Sequence, residues 1–318
     1  MKVLNAGFGI ISRARKFLYW RHCEISYHKS YFRAFGYKNA ILLSLLRLSA
    51  DTEKHNVLWG RIIGRLLHGK TFVIKIKTEK GYIKVAYPNF GQFKHLHIII
   101  SDQFLIREYE ADSEYIPQEG EVVIDVGAHT GLYSLKASKY VGNTGTVVPI
   151  EPHYQSYQLL LTNIALNTAT NIKPLRTGLH DKEDCLNLYI TSLAPGASTI
   201  LEQHARYVKK IGHSTVGVVK IPVTTLDKLI FEILKLESVD LLKMDVEGAE
   251  LAILHGARQT LSKGIVKKWV IEVHTDVNQV EDITKLLKHH GYKISRIFNE
   301  LWNRTSARKA IVYAKRRY

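Results

Sequence analysis

The sequence has few cysteines and no long apolar run, and both absences narrow the class of protein. Its two cysteines, Cys23 and Cys185, lie far apart and form no metal-binding pattern, which favours a reducing, cytoplasmic compartment. The best apolar run, Ala40–Ala50, is interrupted by Arg47 and falls short of the about 20 residues that cross a bilayer. Near the N-terminus, basic residues follow a short apolar stretch, whereas a signal peptide has them first. The sequence therefore predicts neither a transmembrane helix nor a signal peptide.

Acidic residues are also scarce beside basic ones. The chain has 45 Lys and Arg against 29 Asp and Glu, a formal net charge of +16, and residues 1–70 hold 13 of the basic residues but only 3 of the acidic ones. The stretch "VLWGRIIGRLLH" places apolar residues on one helical face and Arg61, Arg65 and His68 on the other. We expect this basic segment to contact an anionic partner, either membrane headgroups at the inner face of a membrane, nucleic acid or a phosphorylated substrate. A helix packed on the domain, or a solvated basic face, is the alternative.

Hydrophobic periodicity divides the 318 residues into an extension and a larger domain. We expect residues 1–69 to form a basic helical N-terminal extension and residues 70–318 to form the domain. Within the domain, residues 70–120 form a lead-in. Lys70–Pro88 alternates apolar and polar residues around Thr78–Gly81, which predicts a β-hairpin, and a helix is expected near Asp102–Tyr109.

From residue 121 to residue 318 strands and helices alternate, which predicts an α/β fold with a doubly wound, mostly parallel sheet. Thr225 is expected to cap a helix that runs to about Leu236, and "SLAPGAST" is expected to be a loop. The predicted strands are Val122–Val126, Thr146–Ile150, Ile172–Arg176, Val239–Met244 and Trp269–Val273, followed by a terminal hairpin of Tyr292–Phe298 and Ala310–Lys315.

The stretch "VVIDVGAHTGLYSL" predicts a ligand-binding turn between a buried strand and a helix. A dinucleotide-binding turn has the pattern G-x-G-x-x-G, in which small residues let the pyrophosphate approach. Here Gly127 and Gly131 are present, but His129 and Leu132 occupy the positions that a pyrophosphate needs open. The turn therefore favours a nucleoside ligand without phosphates over a dinucleotide.

Carboxylates follow three successive predicted strands. Asp125 ends the strand before the turn, Glu151 lies 20 residues after Gly131, and Asp181 follows the third strand. An acid at this distance from the turn is typical of a ribose contact. An acid-lined nucleoside site favours a ligand with an amino group and a positive sulfur, which S-adenosylmethionine has.

The stretch "LLKMDVEGAELAILHGA" and the following "IEVH" predict a second polar cluster. Asp245 and Glu247 follow one strand, and Glu272 and His274 end the next. A histidine beside carboxylates is a candidate general base for an alcohol acceptor. Glu250 lies in the first turn of the following helix, where the helix dipole favours a negative charge, so it has a structural explanation.

A metal site at these acids and His274 stays open as an alternative. The two motifs that supply these residues contain no closely spaced histidine pair, and the prediction is a site without metal.

These motifs together resemble the FkbM-type methyltransferases, class I enzymes that use S-adenosylmethionine. The resemblance covers Lys70 to Lys315 and is strongest from Val122 to Asp276. The motifs that carry it are "DVGAHTGLYSL", "IEPH", "VTTLDKL", "LLKMDVEGAELAILHGA" and "IEVH".

The resemblance implies a seven-stranded Rossmann-like sheet with an antiparallel last strand, and O-methylation of a sugar or another hydroxyl. It also implies residue roles. Asp125, Gly127 and Gly131 would hold the amino-acid end of the cofactor, with His129 tolerated in the turn. Glu151 would bind the ribose and Asp181 would lie near the adenine. Asp245, Glu247 and His274 would line the acceptor side.

The resulting expectation is direct in-line methyl transfer to a hydroxyl of a sugar, glycan or glycolipid, with His274 as base and Glu247 or Glu272 orienting it. Three alternatives stay open. An RNA ribose methyltransferase would suit the basic charge, although the chain lacks an N-P-P-Y-type tetrad and paired catalytic cysteines. A non-catalytic partner- or membrane-binding protein on the same scaffold and a nicotinamide-dependent oxidoreductase are the others.

Overall fold

The computed structural model describes residues 71–88, 103, 107–191, 198–210, 215–275, 277–299 and 309–317. The basic segment 1–69 and half of the helix expected near Asp102–Tyr109 lie outside the described residues, as does most of the loop "SLAPGAST". Within that helix, Glu108–Glu110 forms a 3₁₀ turn. The division at residues 69 and 70 therefore stays a prediction.

A six-stranded sheet forms the centre of the domain, in the order β10-β11-β9-β8-β3-β4. Its strands are β3 Val122–Val126, β4 Thr146–Ile150, β8 Val239–Met244, β9 Val266–His274, β10 Tyr292–Asn299 and β11 Lys309–Arg316. Strands β3, β4, β8 and β9 are parallel, while β11 is antiparallel to β9 and to β10. The predicted Rossmann-like sheet with an antiparallel last strand is confirmed. The seventh strand, predicted at Ile172–Arg176, is reduced to two parallel bridges, Val147 with Ile172 and Ile150 with Leu175.

Helices cover both faces of this sheet. They are α1 Leu132–Val141, α2 Tyr154–Leu166, α3 Glu202–Lys210, α4 Leu226–Lys228, α5 Glu250–His255, α6 Arg258–Lys263 and α7 Val280–His289. Neighbouring residues of β3 belong to the hydrophobic cores on opposite faces of the sheet. Val123 packs with α1, whereas Ile124 packs with α5, α6 and α7. The central strands are apolar on both faces for this reason. Thr225 caps α4 as predicted, but the helix turns into a π-helical segment, Leu229–Ile233, and ends there.

The predicted hairpin is present as β1 Thr71–Thr78 and β2 Gly81–Pro88. Ile76, Ile83 and Val85 are fully buried in the same core as Val123. Asn163 of α2 accepts a hydrogen bond from the backbone N–H of Ala86 at 2.6 Å, which satisfies a buried donor of β2. The hairpin is therefore packed against the core of the domain.

A second, three-stranded sheet was not predicted. Its order is β5-β7-β6, with β5 Gly178–Leu179, β6 Asp184–Thr191 and β7 Thr215–Thr224. In this part of the chain the sequence predicts only an extended segment near Cys185–Ile190. Gly217 and Pro222 weaken the strand signal of β7, which explains the omission.

Candidate active site

The glycine turn after β3 has the tight backbone that its sequence predicts. Gly127 has a φ of 75°, and a Cβ at this position would lie 1.8 Å from the backbone oxygen of Asp245. Gly131 has a φ of 83°, begins α1 and leaves no room for a Cβ beside Leu160. Both glycines are thus required by the close approach of neighbouring chain segments.

Asp125 lies beneath this turn with no exposed surface. Ser134 donates a hydrogen bond to its Oδ2 at 2.5 Å, and Lys243 Nζ lies 3.1 Å from its Oδ1. Lys243 also donates to the backbone oxygen of Gly127 at 3.1 Å. Burial lowers the pKa of Lys243, but Asp125 and Asp245 outweigh this and hold that pKa above its ordinary value. Asp125 and Lys243 therefore support the turn as a buried ion pair, and direct contact of Asp125 with a cofactor stays a prediction.

Glu151 is held at the carboxyl end of β4 by two backbone donors. The N–H of His129 donates to Oε2 at 2.7 Å and the N–H of His153 donates to Oε1 at 2.8 Å. His129 has a φ of 50°, in the left-handed region, and this turn directs its N–H at the carboxylate. Burial raises the pKa of Glu151 to about 7, against the effect of these two hydrogen bonds. Each oxygen keeps a lone pair, so Glu151 remains able to accept hydrogen bonds from a diol.

Asp181 has different surroundings from Glu151. Its side chain is half exposed and its Oδ1 lies 2.6 Å from His180 Nδ1. Its backbone packs against Gly256, at the end of α5. The structure brings Asp181 together with Thr225, Asp227 and Arg258 around a surface depression, and its predicted place near the adenine stays a prediction.

His274, at the end of β9, is fixed by carboxylates at both ring nitrogens. Its Nδ1 lies 2.7 Å from Glu250 Oε1, and its Nε2 lies 3.2 Å from Glu247 Oε2. Glu250 is fully buried, and Gly248 N–H and Asn278 Nδ2 donate to it at 3.0 and 2.5 Å. Burial lowers the pKa of His274, but Glu247 and Glu250 raise it well above its ordinary value. The expectation that Glu247 or Glu272 orients His274 is incomplete, because Glu250 holds the inner nitrogen.

Asp245 and Glu247 enter the same space from the end of β8. Tyr109 donates its single hydroxyl proton between Asp245 Oδ2 at 3.1 Å and Glu272 Oε2 at 2.8 Å, and Lys309 Nζ lies 3.2 Å from Glu272 Oε1. Glu247 Oε2 also lies 3.1 Å from His204 Nε2. We call Asp245, Glu247, Glu250, Glu272 and His274 the acid–histidine cluster.

The carboxylates of this cluster differ in their electrostatics. Burial and the charge of Glu272 raise the pKa of Asp245 to about 7, although Lys243 and His274 act against this. Burial would raise the pKa of Glu247, but His274 and His204 hold it well below its ordinary value. Lys309 and His274 likewise outweigh burial at Glu272 and lower its pKa. The cluster thus holds several negative charges close together at the carboxyl edge of the sheet.

Comparison with known proteins identifies the family. The sequence profile of the "Methyltransferase FkbM domain" matches residues 125–294. The chain is 31% identical over 223 residues to "Methyltransferase sdnD" of Sordaria araneosa, covering 62% of this chain and 84% of that protein. The chain belongs to the FkbM methyltransferase family. It is therefore an S-adenosylmethionine-dependent methyltransferase, as the sequence predicted.

Other relatives share less of the sequence. "Methyltransferase 1" of Beauveria bassiana is 22% identical over 213 residues, covering 64% of this chain and 82% of that protein. The solved structure of Aeropyrum pernix fibrillarin in complex with S-adenosylmethionine is 16% identical, with a TM-score of 0.38, covering 76% of this chain and 93% of that one.

The residues at the turn fit the cofactor of the FkbM family. Glu151 is a buried carboxylate with free lone pairs at the carboxyl end of β4, which suits the hydroxyls of a ribose. The resemblance implied this role for Glu151, and the structure shows how backbone donors keep its carboxylate in place.

The sequence motifs did not identify several residues that contact the site. Lys243 stands opposite Asp125 in the register of β3 and β8, and Lys309 stands opposite His274 in that of β9 and β11. Tyr109 and His204 come from segments to which no motif was assigned. A lysine inside the otherwise apolar stretch "LLKM" was the one signal in the sequence, because a buried lysine needs a partner.

Proposed function

We propose that this methyltransferase acts on a hydroxyl group of a sugar, glycan or glycolipid. The observation that carries the proposal is the acid–histidine cluster at the carboxyl ends of β8 and β9. One ligand atom from each of Asp245, Glu247 and His274 lies within 4.8 Å of the others. Such a cluster offers hydrogen-bond acceptors to hydroxyl groups.

The cofactor side of the proposed site is formed by the turn and by β4. S-adenosylmethionine supplies an electrophilic methyl group when it is bound. Glu151 accepts hydrogen bonds from the ribose hydroxyls, and the turn from Gly127 to Gly131 holds the amino-acid end with Asp125 and Lys243 beneath it. Asp181 remains our candidate for the adenine end.

The acceptor side is formed by the acid–histidine cluster. Asp245 and Glu247 hold the acceptor hydroxyl in line with the methyl group, which supplies much of the rate enhancement. The hydroxyl proton passes to a carboxylate of the cluster. Both ring nitrogens of His274 already face carboxylates, at 2.7 and 3.2 Å, and this favours an orienting role for the imidazole over the predicted role as base.

Methyl transfer from labelled S-adenosylmethionine to separate pools of glycans, glycolipids and RNA tests the proposal. We expect label in the glycan or glycolipid pool, in a product that resists mild alkali as a methyl ether does. We expect His274→Gln to lower turnover at least about tenfold because Glu247, which holds the acceptor hydroxyl, loses the imidazole that orients it. Glu183→Gln, an exposed substitution away from the cluster, is the matched control and should keep full activity.

Label found only in RNA would contradict the glycan proposal and support the ribose alternative, which the net charge of +16 favours. An alkali-labile product would indicate a methyl ester and would contradict O-methylation of a hydroxyl.

A further inference from the structure

Three side chains at the ends of β8 and β9 converge on one point. Asp245, Glu247 and His274 each direct one ligand atom there, and the three atoms lie within 4.8 Å of one another. The distance from His274 Nε2 to Glu247 Oε2 is 3.2 Å. Adjacent ligands of a six-coordinate cation with bonds of about 2.1 Å lie about 3.0 Å apart. The donor atoms therefore fit around one cation with small side-chain movements.

The surroundings of Nδ1 of His274 also indicate that Nε2 is positioned to bind a ligand. Glu250 lies behind the imidazole, outside the donor set, and faces Nδ1 at 2.7 Å. It is fully buried and is itself held by Gly248 N–H and Asn278. A buried carboxylate on Nδ1 orients the ring and places a proton on Nδ1, so that Nε2, which faces Glu247 at 3.2 Å, binds a metal in exchange for its own proton. This arrangement is typical of metal-binding histidines.

The charges of the carboxylates and lysines around the cluster favour the binding of a cation. The four carboxylates of the cluster face two lysines, but both lysines are shared with other acids. Lys243 lies 3.1 Å from Asp125 and 3.9 Å from Asp245. Lys309 lies 3.1 Å from Glu108 and 3.2 Å from Glu272. A divalent cation between Asp245 and Glu247 would balance one carboxylate that has a lysine only at 3.9 Å and a second that faces His274 and His204.

We infer that Asp245, Glu247 and His274 bind a divalent cation of the Mg²⁺ or Mn²⁺ type. Two carboxylates and one imidazole leave about three positions of an octahedral cation for water or acceptor oxygens. The cation thereby positions the acceptor hydroxyl beside the cofactor turn. This inference rests on the proposed hydroxyl acceptor for the role of the cation, but its binding is testable without any acceptor.

Binding is measured with Mn²⁺ as the probe, by the loss of the free-ion electron paramagnetic resonance signal on titration with the EDTA-treated full chain. We expect one Mn²⁺ per chain, competed by Mg²⁺. Glu247→Gln and His274→Gln should each weaken binding at least about tenfold, and Glu250→Gln should weaken it about 10- to 100-fold through the imidazole. His255→Gln, an exposed histidine outside the cluster, is the matched control and should bind as the wild type does.

Circular dichroism of each variant separates loss of binding from loss of folding. If a variant fails to fold, the number of Mn²⁺ ions bound per wild-type chain still tests the inference. A wild-type chain that leaves the Mn²⁺ signal unchanged would overturn the inference. Unchanged binding by folded Glu247→Gln and His274→Gln would overturn it equally, because the ion would then lie elsewhere.

Methyl transfer with and without EDTA separates this inference from the proposed function. Activity lost with EDTA and restored by Mg²⁺ or Mn²⁺ supports both. Full activity of metal-free enzyme on a hydroxyl acceptor overturns the role of the cation and leaves the proposed function intact. Mn²⁺ bound at these residues without transfer to any hydroxyl acceptor supports the site and contradicts the proposed acceptor.

Discussion

At the scale of single residues, neighbouring carboxylates of this enzyme have different tasks because their partners differ. Asp125 is fully buried with Ser134 and Lys243, so its charge is compensated by partners inside the protein. Glu151 accepts hydrogen bonds from two backbone N–H groups, at 2.7 and 2.8 Å, and keeps acceptor capacity for a ligand. Of these two carboxylates at the ends of neighbouring strands, Asp125 thus supports the turn, and we propose that Glu151 faces the ligand.

Because we propose that Glu151 binds the ribose, we expect it to make the affinity for S-adenosylmethionine dependent on pH. Burial raises its pKa to about 7, so the carboxylate proposed to accept from the ribose is lost as the pH falls through that value. We expect the dissociation constant to rise about tenfold from about pH 8 to about pH 6, measured by calorimetry. In Glu151→Gln the affinity should be weaker at pH 8 and should no longer change with pH.

Asp245 also has a pKa of about 7, and the Glu151→Gln variant separates its titration from that of Glu151. Lys243 has a raised pKa, Asp125 is paired with Lys243, and burial lowers the pKa of His153. A wild-type affinity that is constant over this range would refute the ribose role of an ionised Glu151.

At the scale of elements, the hairpin of β1 and β2 depends on two asparagines of α2 and its C-terminal end. Asn163 is fully buried; its side chain accepts from Ala86 N–H at 2.6 Å and donates to the backbone oxygen of Thr130 at 2.9 Å. Asn167 makes similar bonds to the backbone of Lys84, but these are exposed to water. The hairpin, α2 and the cofactor turn are therefore connected through Asn163.

Asn163→Ala should destabilise the domain more than Asn167→Ala. Removing Asn163 leaves a buried N–H and a buried carbonyl without partners, at a cost of about 2–3 kcal/mol in the free energy of unfolding. Water can replace Asn167 at its exposed partners, and we expect a loss below about 1 kcal/mol. Urea unfolding followed by circular dichroism measures the free energy of unfolding of both variants. Equal losses would show that the buried hydrogen bonds of Asn163 do not stabilise the hairpin.

At the scale of the whole molecule, the positive charge is concentrated outside the described residues. Residues 1–70 carry 13 Lys and Arg and 3 Asp and Glu, and the chain as a whole has a net charge of +16. Among the residues that the structure describes, no helix is both long and apolar enough to cross a membrane. We propose that the basic segment binds the anionic surface of a membrane, which would bring the site to a glycolipid acceptor.

Sedimentation of the full chain with vesicles tests this surface contact. We expect binding to phosphatidylserine-containing vesicles that weakens with salt, and little binding to pure phosphatidylcholine. Replacing Arg61 and Arg65 by Gln should weaken binding about tenfold or more, since each basic residue contributes about 1 kcal/mol at such a surface. Equal sedimentation of the variant, or equal binding to both lipids, would assign the basic charge to another partner.

The sequence by itself determined the order of strands and helices in the core, the glycine turn and the family. These features depend on local periodicity, on glycine at positive φ and on motifs that are contiguous in the chain. Gly127 is an example, since its turn could be recognised from the strand before it and the helix after it. The second sheet was missed because Gly217 and Pro222 disturb the same local signal.

Only the tertiary structure decided which side chains act together. Lys243 reaches Asp125 because β8 lies beside β3 in register, and Tyr109 reaches Asp245 and Glu272 from a segment far away in the chain. The helix dipole alone explained an acidic residue at position 250, and only the structure showed that Glu250 contacts Nδ1 of His274. Partners across a sheet depend on strand order and register, and hydrophobic periodicity carries no information about either.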